Sequence, residues 1–405
     1  MNKTLGAAAL ALLLAAPALA QTLDNKPIRI GVLNDMSGPY ADLSGKGSVI
    51  AAQMAAEDFM AEHPSGPKVE VLGGDHQNKA DVGAALARQW VDQDNVAAVV
   101  DVPNSAVALA VNKIMLDKDR TFLASSSATS DLTGPQCAPT TVQWTFDTWA
   151  LAHGTVGALV KQGAKTWFFI AADYAFGTAL TRDATAVVKA GGGTVVGDVK
   201  APLGTTDLSA FILQAQASGA DVVATANSGD DASNTIKQAA EFGIGRDGRQ
   251  KLAGLLIFLT DVRSMGLKTA QGLLLTEAFY WDLNDKTRAW SQRFATRIGG
   301  RMPTMNHAGV YSETMAFLRA VAVEKTFSGR AVVARMVATP IDDPLFGPTT
   351  IRRDGRAVHD MFLFRVKKPG DSRGPYDLYD VVATIPAAEA FRPMAEGKCP
   401  LVATN

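Results

Sequence analysis

A run of small hydroxyl side chains, SSSATSDLTG from Ser125 to Gly134, directly follows the apolar stretch from Thr121 to Ala124. A loop of this composition offers hydroxyl and backbone N–H donors together, which are the groups that bind a small anion. We therefore predict that this loop holds a carboxylate. Because the same residue types also dominate ordinary solvated loops, a simple connection between two elements remains the alternative for the loop taken alone.

Further polar and aromatic residues follow other apolar runs, at the points where parallel strands would end. In an open parallel sheet, ligands bind beyond the carboxyl ends of the strands, because loops and helix N-termini meet there. The residues that this rule selects are Tyr40, Asn104, Ser105, Tyr174, Phe176, Ser228, Asp230, Tyr280 and Trp281. Helix capping by the polar residues and packing by the aromatic residues are the alternatives for each residue taken singly.

Enzymatic functions find little support in the sequence. It contains no GxSxG, HExxH, Walker A or CxxC motif. The five histidines are scattered, and no two of them have a spacing typical of metal ligands. His76 follows a predicted strand and could reach a ligand, although a solvated or capping role explains it equally well. We therefore expect a protein that is not an enzyme and that uses neither a cofactor nor a metal.

The N-terminal segment predicts export. Lys3 is followed by an apolar core from Leu5 to Ala16 and by a small-x-small end at Ala18 and Ala20. This pattern is typical of a secretory signal peptide, residues 1–20, which is cleaved after its last small residue. We therefore expect a periplasmic protein.

Composition and cysteine content limit the partners and the redox state. The chain has 405 residues, of which 47% are hydrophobic, and a formal net charge of -1, so neither nucleic acid nor a membrane surface is an expected partner. Cys137 and Cys399 are the only cysteines, and an exported protein keeps its disulfides. We predict a bond between them. Spacing cannot establish a single pair, so two buried free thiols remain the alternative.

Apolar runs alternate with helical patterns along most of the chain. The predicted strands before the final segment are 28–33, 69–72, 96–102, 121–124, 166–171, 194–199, 221–226, 252–259 and 273–280, with a helix at 149–162 among those between them. This alternation is typical of parallel sheets that are covered by helices on both faces. After Trp281, helices predominate and short strands follow, with a hairpin turn at Arg353 to Arg356. We therefore predict an α/β fold with two doubly wound units in series.

Five segments together resemble a known family. In chain order they are IRIGVLNDMSGPYADLSGKG, GGDHQNKAD, ASSSATSDLTG, WFFIAADYAFG and ADVVATANSGDDASNTIKQAAEFGI. The set resembles the periplasmic substrate-binding proteins of branched-chain amino acid type ABC importers, and the likeness extends from about Pro27 to Pro386. It implies the type I periplasmic-binding-protein fold, in which two doubly wound α/β lobes, joined by three crossovers, close on a ligand.

The resemblance also implies which residues hold the ligand. Those implicated are Asn104, Ser105, Ser127, Ala128 and Thr129 around the carboxylate, and Tyr174, Phe176, Asn227, Asp230 and Asp261 on the opposite lobe. Phe176 stands where the leucine-binding members have a Tyr. Asp261 lies in the loop FLTD, which replaces the segment where amino acid binders place a Glu against the ligand's ammonium group. Members of the subgroup that this chain resembles take small organic acids or aromatic acids.

The resemblance finally implies lobe boundaries and partners. The expected first lobe comprises 27–146 and 282–345, the second comprises 147–281 and 346–385, and a tail follows at 386–405. The implied function is that of a monomeric solute-binding protein, which delivers an amino acid, a small organic acid or an aromatic acid to the membrane permease of an ABC importer. A sensory ligand-binding protein that reports to a signalling receptor is the alternative.

Overall fold

The computed structural model describes residues 26–245 and 248–402, so the expected signal peptide at 1–20 lies outside the described residues. The first lobe contains a parallel sheet of five strands in the order β2-β1-β3-β4-β5. Its elements are β1 (Ile28–Asn34), α1 (Gly45–Glu62), β2 (Val69–Asp75), α2 (Ala80–Asp92), β3 (Val96–Asp101), α3 (Ser105–Asp117), β4 (Thr121–Ala124) and β5 (Thr141–Gln143). Strand β3 lies at the centre and is buried along its whole length, as its almost unbroken apolar sequence VAAVVD indicates.

The second lobe repeats this architecture with four parallel strands in the order β7-β6-β8-β9. Its elements are α4 (Thr148–Leu151), α5 (Gly157–Lys161), β6 (Thr166–Ala172), α6 (Ala175–Ala190), β7 (Thr194–Ala201), α7 (Ser209–Ala217), β8 (Val222–Ala226), α8 (Gly229–Glu241), β9 (Lys251–Gly254), α9 (Leu259–Met265) and α10 (Leu267–Ala270). The predicted fold of two doubly wound α/β units is confirmed.

The last third of the chain completes both lobes. Its elements are β10 (Leu274–Glu277), α11 (Asp285–Arg297), α12 (Met305–Glu324), α13 (Gly329–Ala338), β11 (Ile341–Asp343), β12 (Gly347–Ile351), β13 (Ala357–Val358), β14 (Met361–Val366), β15 (Tyr379–Ile385) and α14 (Ala387–Ala390). Helices α11 and α12 pack on α1, whereas β14 pairs with β10 and with β15. The chain therefore crosses between the lobes three times. No helix in the described ranges is long and apolar enough to cross a membrane.

The small antiparallel sheet β11-β12-β13 lies beside the first lobe. The N–H of Gln143 donates to the carbonyl of Gly355 at 2.9 Å, and α13 packs on β12. The turn at 353–356 joins β12 to β13 as an antiparallel pair. From the sequence we expect the second lobe to resume at residue 346. We propose instead that it resumes near Met361, because the strands before that residue contact the first lobe.

The predicted strand at 252–259 is wrong in its second half. The apolar run is a strand only as far as Gly254, because Leu259 already begins α9. The carboxylate of Asp261 accepts the N–H of Phe258 at 2.8 Å and so caps this new helix.

The helix predicted at 149–162 is present, because the chain is helical from Thr148 to Lys161. Its middle segment, Ala152–Val156, is π-helical and separates α4 from α5.

A close contact between α1 and α12 fixes the start of α12. A Cβ at Gly47 would lie 2.3 Å from Nε2 of His307, so only glycine permits this approach. The His307 ring contacts the Ser44 carbonyl at 2.9 Å, and burial lowers its pKa to about 4, which keeps the ring neutral. The hydroxyl of Thr304, the residue before α12, donates to the carbonyl of Leu43 at 2.8 Å.

The C-terminal tail is fastened to the first lobe beside the hydroxyl loop. Cys137 and Cys399 form a disulfide, which confirms the predicted pairing across a sequence separation of 262 residues. The guanidinium of Arg392 also donates to the carbonyl of Ser130 at 2.9 Å. The tail therefore covers the 3₁₀ turn, Ser130–Thr133, that ends the loop.

We expect that replacing both cysteines, Cys137→Ser with Cys399→Ser, destabilises the protein by roughly 2–4 kcal/mol, because the unfolded chain loses a long cross-link. Thermal unfolding monitored by circular dichroism, with and without a reducing agent, measures this effect. The double variant is the control, since reductant should lower the melting temperature of the native protein and leave that of the variant unchanged. An unchanged melting temperature of the native protein after complete reduction would contradict the expectation.

Candidate functional site

A narrow cavity lies between the two lobes, where the loops that follow the strands of both sheets meet. Its walls are mostly apolar and aromatic. The lining residues are Tyr40, Leu43, Pro103, Ser126, Ala128, Tyr174, Phe176, Ser228, Leu256, Phe258 and Asn306. None of these residues carries a charge, so any charge on a ligand must be balanced by dipoles and hydrogen bonds.

Helix N-termini from both lobes meet at this cavity. Five helices of thirteen or more residues, α1, α3, α6, α8 and α12, each begin within two positions of a lining residue. The corresponding lining residues are Leu43, Pro103, Tyr174, Ser228 and Asn306. Helix N-termini present the positive end of the helix dipole, so their convergence favours an anion. Their first N–H groups can also bond to a ligand where no side chain caps them, although at α3 Asn104 already accepts two of them.

Two buried polar side chains in the cavity wall have no hydrogen-bond partner within the described part of the chain. Ser228 precedes α8, but its hydroxyl makes no capping bond and is unpaired, although it is only 3% exposed. Asn306 is fully buried, and both its Oδ1 and its Nδ2 are unpaired. Buried polar groups usually find a partner, so these two side chains are free to bond to a molecule in the cavity.

The hydroxyl loop contributes Ser126 and Ala128 to the cavity wall. Its backbone is held from behind, because Nε2 of Gln143 donates to the carbonyls of Ser127 and Thr129 at 2.7 and 3.1 Å. The hydroxyl of Thr129 accepts the N–H of Asp131 at 3.3 Å and so caps the following turn. The loop thus has a fixed shape, with carbonyl groups turned toward Gln143.

Asn104 and Ser105 support this loop without lining the cavity. Oδ1 of Asn104 accepts the N–H groups of Ala106 and Val107 at 3.0 and 3.2 Å, which caps α3. The hydroxyl of Ser105 accepts the N–H of Thr129 at 3.3 Å. Asn104 therefore has the capping role that the sequence analysis gives as its alternative. The preceding residue, Pro103, lines the cavity.

A buried acidic pair lies beneath the same loop. Asp101 accepts hydrogen bonds from the hydroxyls of Ser126 and Ser44, and its N–H donates to Glu313 at 3.4 Å. Burial raises the pKa of both carboxyl groups. Asp101 and Val102 have φ angles of 80° and 57°, and the β-branched side chain of Val102 rarely permits this left-handed conformation. This strained strand end is thus maintained by a buried hydrogen-bond network.

His76 lies outside the cavity wall. Its Nδ1 accepts the N–H of Asn78 at 3.0 Å, and burial lowers its pKa to about 4, so the ring is neutral at physiological pH. Of the two sequence alternatives, the capping role agrees with this bond. Among the described residues, no group of three His, Cys, Asp or Glu side chains could hold a metal ion.

Tyr174 and Phe176, at the start of α6, form the second-lobe wall with ring centroids 6.0 Å apart. The hydroxyls of Tyr174 and Tyr40 lie 2.6 Å apart and form a hydrogen bond between the lobes. Burial raises the pKa of both tyrosines, so both hydroxyls keep their protons. Tyr280 and Trp281 instead donate to the carbonyl of Tyr376 inside the second lobe.

Asn227 and Asp230 flank Ser228 but do not line the cavity. Nδ2 of Asn227 donates to the hydroxyl of Thr235 at 2.9 Å. The side chain of Asp230 is exposed, whereas its N–H donates to the carbonyl of Pro39 in the first lobe at 3.2 Å. Between them, Gly229 has φ of 61°, and a Cβ there would lie 2.3 Å from the Pro39 carbonyl oxygen. Glycine therefore permits this contact between the lobes.

Asp261 lies behind the cavity wall. Its carboxylate accepts the N–H of Phe258, which is the residue that lines the cavity. Burial raises the pKa of Asp261 to about 7, and the nearby charges of Asp230 and Asp42 add to the effect. This carboxyl group caps α9 and does not line the cavity.

Five of the cavity residues are not among the ligand contacts predicted from the sequence, namely Leu43, Pro103, Leu256, Phe258 and Asn306. Their residue types do not separate them from ordinary core, loop or helix residues. Asn306 reaches the cavity through the packing of α12 on α1, a contact between segments that are far apart in the chain. Ser228 was selected only as a helix-start residue, and its unpaired hydroxyl could not be foreseen.

The raised pKa of Asp261 predicts a pH-dependent stability. The carboxyl loses its proton near pH 4 when the chain is unfolded and near pH 7 when it is folded, so the native protein loses stability as the pH rises from 4 to 7. Asp261→Asn keeps an oxygen for the Phe258 N–H and removes this loss. We expect the variant to gain on the order of 1–4 kcal/mol relative to the native protein between pH 4 and pH 7, with no further gain above pH 8.

Urea unfolding at pH 4.5, 6 and 8 measures this difference. Asp198→Asn, which changes an exposed carboxyl on β7, is the matched control. A stability difference between the Asp261 variant and the native protein that is the same at all three pH values would contradict the assignment.

Comparisons with known proteins agree with this architecture. The family model described as periplasmic binding protein matches residues 27–372. A solved periplasmic binding protein from Burkholderia mallei is 44% identical with a TM-score of 0.90, and the match covers 93% of this chain and 99% of that chain. A branched chain amino acid ABC transporter periplasmic ligand-binding protein from Burkholderia xenovorans LB400 is 39% identical with a TM-score of 0.80, covering 92% and 99%.

A curated relative is more distant. Leu/Ile/Val-binding protein homolog 6 from Brucella abortus (strain 2308) is 28% identical over 255 residues, or 62% of this chain. The match spans 63% of that relative's length, which is less than two thirds. The family model nevertheless matches most of the chain, and the solved structures share both lobes. The chain therefore belongs to the periplasmic binding protein family, with the two-lobed type I fold that the sequence resemblance implies.

Proposed function

We propose that the protein captures a small carboxylate-bearing ligand between its lobes and delivers it to the membrane permease of an ABC importer. The observation that carries this proposal is the convergence of five helix N-termini on an uncharged cavity with two unpaired, buried polar side chains. The family and the transporter name of the Burkholderia xenovorans relative support the delivery step. The predicted signal peptide supports a periplasmic location.

A carboxylate matches the polarity of the cavity. Its two oxygens accept hydrogen bonds and donate none, so they complement the backbone N–H groups at the helix starts and the hydroxyl of Ser228. The negative charge also interacts favourably with the helix dipoles, which a neutral ligand would not do. The remainder of the ligand contacts apolar surfaces, among them Leu43, Phe176 and Phe258.

Closure of the lobes accounts for transport without covalent chemistry. The Tyr40–Tyr174 hydrogen bond and the Asp230 to Pro39 contact both join the lobes, and both would break if the cavity opened. A ligand that touches both lobes favours the closed form by its differential affinity for that form. A permease that recognises the closed form would then distinguish loaded protein from empty protein.

The direct test is isothermal titration calorimetry against a library of amino acids, aliphatic acids and aromatic acids. We expect at least one small carboxylate to bind, and Ser228→Ala to weaken that binding roughly 10- to 150-fold, because one hydrogen bond to a charged group is lost. The melting temperature of the ligand-free variant should not fall, since the hydroxyl has no partner among the described residues.

Ser291→Ala is the matched control, because it removes another buried, unpaired hydroxyl that lies on α11 and outside the cavity wall. It should leave affinity unchanged. Absence of binding by every carboxylate in the library would refute the proposed ligand class. Equal affinity of the native protein and the Ser228 variant would show that the carboxylate does not bond at the start of α8.

The bond between the lobes gives a second prediction. Tyr174→Phe removes one hydroxyl of the pair, so the closed form should lose roughly 1 kcal/mol and ligand affinity should fall about 2- to 10-fold. Small-angle X-ray scattering should report a larger radius of gyration for the variant at subsaturating ligand. Tyr311→Phe is the control, because its hydroxyl donates to Asp58 within the first lobe at 2.8 Å. Equal effects of the two variants on affinity would show that closure does not depend on the Tyr40–Tyr174 bond.

A further inference from the structure

The cavity wall provides no partner for an ammonium group. A buried ammonium needs a carboxylate beside it to offset the loss of hydration. None of the lining residues is acidic. The converging helix N-termini would also repel a second positive charge, because their dipoles point their positive ends at the cavity. An α-amino acid would therefore bring one group that the cavity stabilises and one that it disfavours.

Two first-lobe carboxylates that lie in or beside the loops of the cavity are engaged in the fold. Asp35, in the loop before α1, accepts the N–H groups of Gly38 and Tyr40 and Nδ2 of Asn78, all at 2.7–2.9 Å. Asp101 is enclosed by the hydroxyls of two serines and by Nδ2 of Asn34 at 3.0 Å. Neither carboxylate lines the cavity, so neither can offset a ligand's positive charge without losing several bonds.

The second-lobe carboxylates are likewise unavailable. Asp231 accepts the N–H of Gly204 at 3.1 Å, on the side of α8 that faces β7's end. Asp261 caps α9 through the N–H of Phe258. Asp230 is exposed to solvent. No acidic side chain in the described residues of this lobe therefore lines the cavity.

Asn306 indicates what a ligand presents instead. Its Nδ2 can donate to a carboxylate or to any other acceptor, but its Oδ1 needs a donor. A carboxylate supplies none, and an ammonium is excluded by the charge argument. A hydroxyl group is the small neutral group that donates one hydrogen bond and accepts others. It can satisfy Oδ1 of a fully buried side chain that no described residue satisfies.

We infer that the ligand is a hydroxy acid, a carboxylic acid without an amino group whose hydroxyl bonds to Asn306. This inference rests on the proposed function, since it specifies the ligand of the same cavity. A hydroxy acid differs from the amino acids in the name of one relative, Leu/Ile/Val-binding protein homolog 6.

The test compares acids that share one carbon skeleton. Calorimetry is carried out with 2-hydroxy-4-methylpentanoate, 4-methylpentanoate and leucine, and with 3-phenyllactate, 3-phenylpropanoate and phenylalanine. We expect the better-fitting hydroxy acid to bind at least tenfold more tightly than its amino acid counterpart, and at least threefold more tightly than the unsubstituted acid. The inference is overturned if leucine or phenylalanine binds as tightly as its hydroxy counterpart, or if none of the six binds. The latter outcome leaves the carboxylate proposal standing if another library acid binds.

Variants then locate the hydroxyl group. Asn306→Leu removes both polar atoms at similar volume and should reduce the affinity of the hydroxy acid to that of the unsubstituted acid, whose own affinity should not change. Thr314→Val is the matched control, because it removes another unpaired polar group of α12 that lies outside the cavity wall. If the Leu variant is not folded by circular dichroism, Asn306→Ala replaces it. An unchanged preference for the hydroxy acid in the folded Asn306 variant would refute the role of this residue.

Discussion

The convergence of helix N-termini on one cavity is the constraint on which the rest of this structure depends. Parallel strands end at the same edge of each sheet, so the helices that follow them begin there, and two lobes placed edge to edge bring both sets of N–H groups together. The positive ends of these dipoles supply what a lysine or an arginine would supply elsewhere. Under the proposed function, an anion is held without a charged side chain in the wall, and backbone groups that the fold positions supply the binding energy.

Fixed backbone geometry requires support, and buried polar networks provide it. The hydroxyl loop is held by Gln143, by the capping hydroxyl of Thr129 and by Ser126, which reaches the buried carboxyl of Asp101. The left-handed backbone at Asp101 has a conformational cost that this network offsets. The disulfide fastens the C-terminal tail over the end of the same loop. Asn104 and Ser105, which the sequence resemblance implicates in ligand binding, also make hydrogen bonds that support the start of α3 and this loop.

The sequence predicts the general architecture better than it predicts the individual contacts. Alternating apolar and helical segments predict two parallel sheets, and the order of the motifs predicts the family. Both predictions succeed because each signal lies within short segments of the chain. The cavity residues depend on contacts between distant segments. Asn306 lies at the cavity because Gly47 lets α12 approach α1 closely. The side chain of Asn104 caps α3 and does not line the cavity. Strand β9 ends at Gly254, and Asp261 caps the helix α9 that follows. The apolar sequence of this segment predicts a longer strand and gives no sign of that helix.

The names of two relatives refer to amino acid binding or transport, whereas the wall residues of this cavity include neutral polar groups and no acidic partner for an ammonium. The ligand preference of the cavity therefore follows from its wall residues rather than from the fold, because proteins that share one fold can bind different ligands. The crystal structure of the protein with its tightest-binding carboxylic acid tests the central claim most directly. The account predicts carboxylate oxygens within hydrogen-bond distance of backbone N–H groups at the helix starts and no Lys or Arg side chain within 4 Å. A carboxylate paired with a Lys or Arg side chain, or bound outside the cavity, would contradict it.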